Sequence, residues 1–415
     1  MQHSWFKPRA YRHFDSPVGG AFAAKVLQPN FVKRHSWSPL ISYTKRQKRY
    51  RPGIGKTDFK ERSIMYASHR DACILSYFAS ELTGVLDERY AASGLGESVI
   101  AYRKLGKANY DFSAVALAYA HANAPCVALC FDVTGFFDSL DHKILKKQLA
   151  SAFGWAELPA AWYSVFKSVT KFKHVERSAL KSHPIFGIRM GELRREPIAT
   201  IVEVRRAGIP ILVNGNGFGI PQGTPISAAL SNLYMWNLDV AMKAACDQVC
   251  ALYQRYSDDI LIICPPHAEK KVTDELEAAL AILKLEIKAE KTERVTFDPT
   301  NPASFQYLGF TMSPTGALIR QSSLARQWRK ARRMLKRTKS AGEAAIAAGR
   351  ADKVYTKKVR RRLLPVVGVR NFSSYARRSS QALGSEKIVR QVRRLERMVE
   401  QELHELKRKP SANPD

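Results

Sequence analysis

The chain has 415 residues, 45% of them hydrophobic, and carries 67 Lys and Arg against 37 Asp and Glu, a formal charge of +30. That length buries a core in two or three subdomains, and the charge asks for a polyanionic partner, either nucleic acid or an acidic membrane surface. With no run of about 18 apolar residues and no secretory apolar stretch at the amino terminus, the membrane readings fall away.

The charge is uneven. Residues 1–60 hold 13 basic and 2 acidic side chains, 320–415 hold 27 and 8, and 61–319 hold 27 of each. A neutral centre between basic ends suggests that the ends grip phosphates while the centre does chemistry. Basic tails can be merely solubilising, but here aromatics are interleaved with the charges, as on nucleic-acid surfaces. The six cysteines lack paired CxxC spacing and read as reduced core residues of a cytoplasmic protein.

In chain order, Pro8, Pro17, Pro29, Pro39 and Pro52 make residues 1–60 irregular. Trp5, Phe6, Tyr11, Phe14, Trp37, Tyr43 and Tyr50 make that stretch a tail that packs on the body or on RNA. Residues 60–66 read as a strand and 69–86 as an amphipathic helix. The apolar run 126–131 is a buried strand ending at Asp132, and 140–153 a helix with acidic residues at its start. Residues 155–218 alternate apolar and basic stretches. Gln222-Gly223-Thr224-Pro225 opens a helix running to about Cys246, with Pro225 in its first turn. Two strands, 251–253 and 260–264, flank the turn Tyr256-Ser257-Asp258-Asp259. A helix over 267–283, a strand over 285–288 and four basic helices over 326–339, 353–364, 371–383 and 385–408 complete the pattern.

Adjacent carboxylates repel and Asp is a poor strand residue, so Asp258-Asp259 at a hairpin tip calls for a cation. An isolated Asp-Asp is usually a solvated turn. If the Asp132 strand lies beside the hairpin, three carboxylates meet, and that suits two Mg²⁺ ions roughly 3.5–4 Å apart that clamp an in-line phosphoryl displacement.

The stretches FDVTGFFDSLDH (131–142), GIPQGTPISAALSN (219–232) and YSDD (256–259) together resemble the palm motifs of reverse transcriptases, in order and approximate spacing. The resemblance covers about 60–383 and implies an α+β right-hand polymerase, with fingers, a split β-α-β palm and a helical basic thumb. The implied division is an amino-terminal extension (1–60), fingers (61–125), a palm strand (126–140), a return through the fingers (141–218), palm (219–300), then primer grip and thumb (301–415). It implies that Asp132, Asp258 and Asp259, with the Val133 carbonyl, hold the metal ions. Arg62, Phe136, Phe137, Gln222, Gly223 and Lys291 would meet the nucleotide. Tyr256, Tyr307, Leu308, Gly309, Arg360, Arg361 and Arg362 would meet primer and template, the run from Tyr307 to Phe310 as the strand that grips the primer end. Phe137 would lie beneath the sugar and exclude a 2′-OH, where RNA-dependent RNA polymerases generally place an acidic residue. Core packing is an equally good reading of Phe137 from hydrophobicity alone.

Tyr11 to Asp15, His35 to Pro39, Ser98 to Arg103 and Asn371 to Ala376 are similar to stretches of the bacterial defence-associated reverse transcriptases, class 2 type. That resemblance implies RNA-templated DNA synthesis from dNTPs on a dedicated non-coding RNA, in anti-phage defence. A general or mobile-element enzyme and a non-catalytic RNA-binding scaffold remain as alternatives, although no Cys/His zinc pattern of an endonuclease follows the thumb. Ser63, where many relatives have Pro, departs from the pattern. Template identity, priming and oligomeric state are not legible.

Overall fold

The structure, a computed structural model, describes residues 3–51, 56–192, 196–287, 292–300 and 302–406. Its strands are β1 (Leu40–Arg51), β2 (Lys56–Tyr66), β3 (Cys126–Asp132), β4 (Lys173–Glu176), β5 (Leu212–Val213), β6 (Leu252–Tyr256), β7 (Asp259–Cys264), β8 (Glu293–Phe297), β9 (Phe305–Tyr307), β10 (Phe310–Ser313) and β11 (Gly316–Ile319). The chain divides into two compact units. The first comprises Met1–Arg103, Asp132–Ala245 and Thr273–Lys288, and the second Lys104–Phe131, Cys246–Val272 and Ala289–Asp415.

In the first unit a sheet of order β2-β1-β4-β5 is built on a long hairpin. β1 and β2 pair antiparallel from Ile41↔Tyr66 to Arg51↔Lys56, and β1 also pairs parallel with β4. The expectation of an irregular stretch through residue 60 is corrected here. A strand of 12 residues occupies 40–51, and the boundary drawn at residue 60 falls inside β2. Ile41 and Val175 pack with Phe14, Leu180, Phe186 and Val204 into the core beneath this sheet.

The aromatics and histidines before β1 are spent on packing. The Tyr11 hydroxyl donates to the Ala67 carbonyl, Trp37 Nε1 donates to Ser164 Oγ, and Trp5 packs on Tyr77. Asp15 accepts from the His69 and Arg70 amides, each at 2.9 Å, at the positive end of the helix His69–Ala92. Inside that first turn, buried Asp71 holds His35 Nε2 at 2.7 Å and the Ser38 amide at 2.9 Å. His13 is fully buried: its Nδ1 accepts from the Phe14 amide and its Nε2 lies 3.2 Å from the Tyr66 carbonyl, so the partners require the neutral ring protonated on Nε2. Burial lowers its pKa to about 4.

Downstream, the single helix expected from Gln222 to Cys246 is two, Ser227–Tyr234 and Trp236–Gln248, parted at Met235. Apolar spacing continues across the break, which is why the pattern hides it. Tyr234 is fully buried there, its hydroxyl donating to the Leu283 carbonyl at 2.6 Å.

In the second unit one sheet has the order β6-β7-β3-β8 and another β11-β10-β9. β3 and β7 are apolar and buried, as short runs of Val, Leu, Ile and Cys favour in a central strand. The carboxyl-terminal helices are Gln321–Ala347, Lys357–Leu363, Phe372–Ala382 and Glu386–Glu405. The last presents Ile388, Val392, Leu395, Val399 and Leu403 at three- and four-residue spacing, and its later part packs on Ala331, Leu335, Val359 and Leu363. Ser385 Oγ donates to the Ala317 carbonyl at 2.7 Å, and the Gln391 amide spans both backbone groups of Ile319, tying this bundle to β11. Among the described residues no helix is long and apolar enough to cross a membrane.

Candidate active site

The hairpin β6–β7 pairs Tyr256 with Asp259, leaving Ser257 and Asp258 as a two-residue turn. Such a turn needs a left-handed residue to match the strand twist, and Ser257 takes it at φ +61°. Arg255, fully buried in β6, donates from Nη1 to the Ser257 carbonyl at 3.0 Å and so pins the turn from below. Nothing in the pattern of residue types points to a buried guanidinium inside a strand. The only hint was a cation next to the polar turn.

β3 is the neighbour of β7. The Cys130 thiol is raised far above its usual pKa, first by burial and then by the negative charges of Glu293 and Asp259. Asp259 therefore lies beside the end of β3, and Glu293 is Cys130's partner in β8. Asp132, half-buried, is the last residue of β3 and opens the segment Asp132–Ala245 of the first unit.

Tyr307 is placed in this neighbourhood too. It is 4% exposed, and its hydroxyl has no hydrogen-bond partner among the described residues. Burial, then the charges of Cys130, Asp259 and Tyr256, hold its pKa well above the usual phenol range, so it stays a donor. The run from Tyr307 to Phe310, expected as a strand, is a tight turn. Tyr307 pairs with Phe310, and Leu308 (φ +46°) and Gly309 (φ +93°) both take the left-handed backbone that a two-residue hairpin of this kind requires. The Arg320 amide donates to the Gly309 carbonyl at 2.9 Å and fixes it.

Of the residues expected around the nucleotide, the first unit contains Arg62, Phe136, Phe137, Gln222 and Gly223. Val133 forms an isolated bridge with Ile287, and the Thr134 amide donates to the Glu286 carbonyl at 2.9 Å. The strand expected over 285–288 is reduced to that bridge within its described part. A single helical turn follows, Phe136–Ser139, with Phe136 buried and Phe137 half-buried, ring centroids 5.5 Å apart. The Phe137 carbonyl accepts from the Ile220 amide at 2.9 Å, which joins this turn to the stretch leading into Gln222.

Gln222 and Gly223 dock on β2. The Met65 amide donates to the Gln222 carbonyl at 2.9 Å, and a Cβ on Gly223 would stand 2.7 Å from the Met65 carbonyl oxygen and 3.1 Å from Ile64 Cγ2. Gly223 also has φ +121°. Close backbone approach is thus the physical reason for glycine here. Arg62 shares the face of β2 that carries Ile64, half-buried opposite Lys45. Lys291 lies outside the described residues. Arg360, Arg361 and Arg362 share the helix Lys357–Leu363 and are all exposed, and Arg361 and Arg362 line a concavity of the second unit.

Among the described residues no three His, Cys, Asp or Glu side chains are gathered as a metal-holding group. The donor chemistry nevertheless fits a hard cation. Asp132, Asp258 and Asp259 offer oxygen only, the one nearby thiol on β3 is held protonated, and the orphaned Tyr307 hydroxyl is a donor left over for a carboxylate.

Residues 216–312 match the family model for reverse transcriptase (RNA-dependent DNA polymerase). That segment contains Gln222, Gly223, the Asp258-Asp259 hairpin and the Tyr307–Phe310 turn, so the match falls on the residues described above. With mixed sheets and helices in this order, the fold is the α+β right-hand polymerase fold. No curated protein matches the chain. Among solved structures, the chain is similar to the apo telomerase of Candida tropicalis truncated of its C-terminal domain, with TM-score 0.45 and 13% identity over 68% of this chain and 56% of that one. It is also similar to the telomerase of Candida albicans in complex with a TWJ fragment of telomeric RNA, with TM-score 0.39 and 15% identity over 73% and 49%. The chain thus spans about half the length of these structures.

Proposed function

We propose that the protein copies a dedicated structured non-coding RNA into DNA from dNTPs, with two Mg²⁺ ions at Asp132, Asp258 and Asp259, as part of bacterial anti-phage defence. The observation that carries the polymerase reading is the Asp258-Asp259 turn beside the end of β3, inside the matched segment. The defence assignment rests on the resemblance of Tyr11 to Asp15, His35 to Pro39, Ser98 to Arg103 and Asn371 to Ala376.

Bound ions would supply the clamp on the attacking and leaving oxygens of an in-line displacement. The chain's residues do the rest. Asp132, Asp258, Asp259 and the Val133 carbonyl would hold the cations, and the unpaired Tyr307 hydroxyl would be available to orient Asp259 once it is a ligand. Arg62 on β2 meets the triphosphate, together with Lys291. The docking of β2 on Gln222-Gly223 sets where that cation stands. Phe137 closes the space beneath the sugar and selects deoxynucleotides.

Primer extension on an RNA template tests the reading. Asp258→Ala should abolish extension while the melting temperature is kept, and extension at the wild-type rate would remove the site assignment. Competition binding at physiological salt tests the template class: an RNA transcribed beside the locus should outcompete unrelated structured RNA of equal length. Equal binding of both, with phage resistance intact in Asp258→Ala cells, favours the general enzyme.

A further inference from the structure

A concavity of about 1310 Å³ in the second unit lies among the carboxyl-terminal helices rather than at the carboxylates. Its walls are cationic. Lys357, Lys358, Arg361 and Arg362 come from one face of the helix Lys357–Leu363, at spacings of one, four and five residues. Arg326 and Lys330 face in from the helix Gln321–Ala347, and Arg370 from the stretch before Phe372. Among the described residues no acidic side chain lines it, and Asp352, which accepts from the Tyr355 hydroxyl, stands outside it. Like charges at four-residue spacing destabilise a helix. The bundle has acids to offset this, yet Glu396 is paired with Arg377 and Glu386 with Arg390, outside the concavity. A charge set left uncompensated by the protein is one that a polyanion compensates.

The floor is aromatic. Tyr375 lies nearly parallel to Phe372, with centroids 6.4 Å apart, and to Phe310, at 6.3 Å. Phe372 and Tyr375 line the concavity, as does Tyr355, 67% exposed at its edge. Through Phe310 the floor is continuous with the Tyr307–Phe310 turn. Cations alone would suit a duplex, whose phosphates are outside. In a duplex, however, the bases stack on one another and show only their edges, so aromatic faces between the cations have nothing to meet. Unpaired bases stack on such faces while phosphates track the charges.

We infer that this concavity binds a single-stranded segment of RNA, with phosphates on Arg361, Arg362 and Lys358 and bases on Tyr355, Phe372 and Tyr375. That the strand is RNA rests on the reverse transcriptase reading. That it is unpaired rests on the groove itself.

Fluorescence anisotropy of the full chain tests this, with labelled oligo-rU, which cannot pair with itself, against oligo-dT and a blunt RNA–DNA duplex of equal length, at about 0.15 M salt, where weak long-range attraction is screened. Arg361→Gln with Arg362→Gln should weaken oligo-rU about tenfold or more, and Tyr355→Ala about fivefold or more, since stacking on one ring is worth about 1–3 kcal/mol per base. Both should change duplex binding less than twofold. Arg333→Gln with Arg337→Gln removes the same charge from exposed positions outside the concavity and should change oligo-rU less than twofold. An equal loss of duplex and oligo-rU overturns the single-strand assignment, as does an equal loss from the outside pair. Oligo-dT bound as tightly as oligo-rU, and weakened equally, overturns the RNA assignment. Unchanged binding in both groove variants overturns the site. Primer extension by Asp258→Ala, measured alongside, reports on the polymerase reading independently, because that variant leaves the groove intact.

Discussion

Gly223→Ala is the sharpest test of how the nucleotide-side residues are held. The new Cβ would stand 2.7 Å from the Met65 carbonyl oxygen, a backbone atom that can retreat only if β2 retreats. At φ +121° the alanine is strained besides, at about 1–3 kcal/mol. Moving β2 also stretches the hydrogen bond from the Met65 amide to the Gln222 carbonyl, about 1 kcal/mol net. The sum is about 2–4 kcal/mol, and each 1.4 kcal/mol is tenfold in a local equilibrium. Lifting β2 displaces Arg62, three residues before Met65, so KM for dNTP should rise at least tenfold in primer extension at saturating primer–template. The Met65 amide should exchange its hydrogen faster by a similar factor. Gly309→Ala provides the comparison, because its φ is +93° but nothing lies within 4 Å of the added Cβ: it carries strain without a clash and should leave dNTP KM within about threefold. A Gly223→Ala protein with wild-type KM, melting temperature and Met65 exchange would refute the reasoning.

Three further outcomes are expected. Phe137→Val should admit ribonucleotides by opening the space beneath the sugar, read as the ratio of rNTP to dNTP incorporation, and an active variant with an unchanged ratio would count against the gate. Tyr307→Phe deletes a buried hydroxyl without a partner, so the metal-free protein should melt no lower. If the hydroxyl orients Asp259, Mn²⁺ binding followed by electron paramagnetic resonance should weaken about tenfold, the lower end of what lost supporting partners of metal ligands cost, and unchanged affinity would dismiss that role. His13 ties stability to pH. Its folded pKa of about 4 lies below the ordinary value of 6.5, so the unfolded chain binds more protons between the two. Its contribution, about 3 kcal/mol at most for that shift, is complete above pH 6.5 and is lost as pH falls toward 4. Denaturation midpoints from pH 7 to 5 should fall less steeply in His13→Gln, and equal slopes would discard the assignment.

The elements legible from sequence were those whose cause is local. Short β-rich runs around a polar pair made β6, β7 and β3 readable, and Gly223 between a polar residue and a helix start marked a close approach that the Met65 contact explains. Residues 40–51 gave no such signal. Most of that segment is polar or basic, and it is a strand because β2 and β4 supply its hydrogen bonds. The amino-terminal aromatics could face RNA or protein by composition alone, and it is Ala67, Tyr77 and Ser164, far along the chain, that occupy Tyr11, Trp5 and Trp37. Leu308 in a left-handed conformation is equally hidden, since leucine there is uncommon and only its neighbours enforce it.

For this protein the sequence by itself determined the chemistry available: three carboxylates at strand ends, a Gln-Gly approach and an excess of cations at the carboxyl end, all properties of residue type and short-range order. Tertiary structure decided which of these groups act together. Burial and pairing across long sequence separations left the Tyr307 hydroxyl near Asp259 without a partner among the described residues, buried Arg255 under the Ser257-Asp258 turn, and set Arg361 and Arg362 beside an aromatic floor. These are facts about neighbours, and a chain acquires neighbours distant in sequence only when it folds.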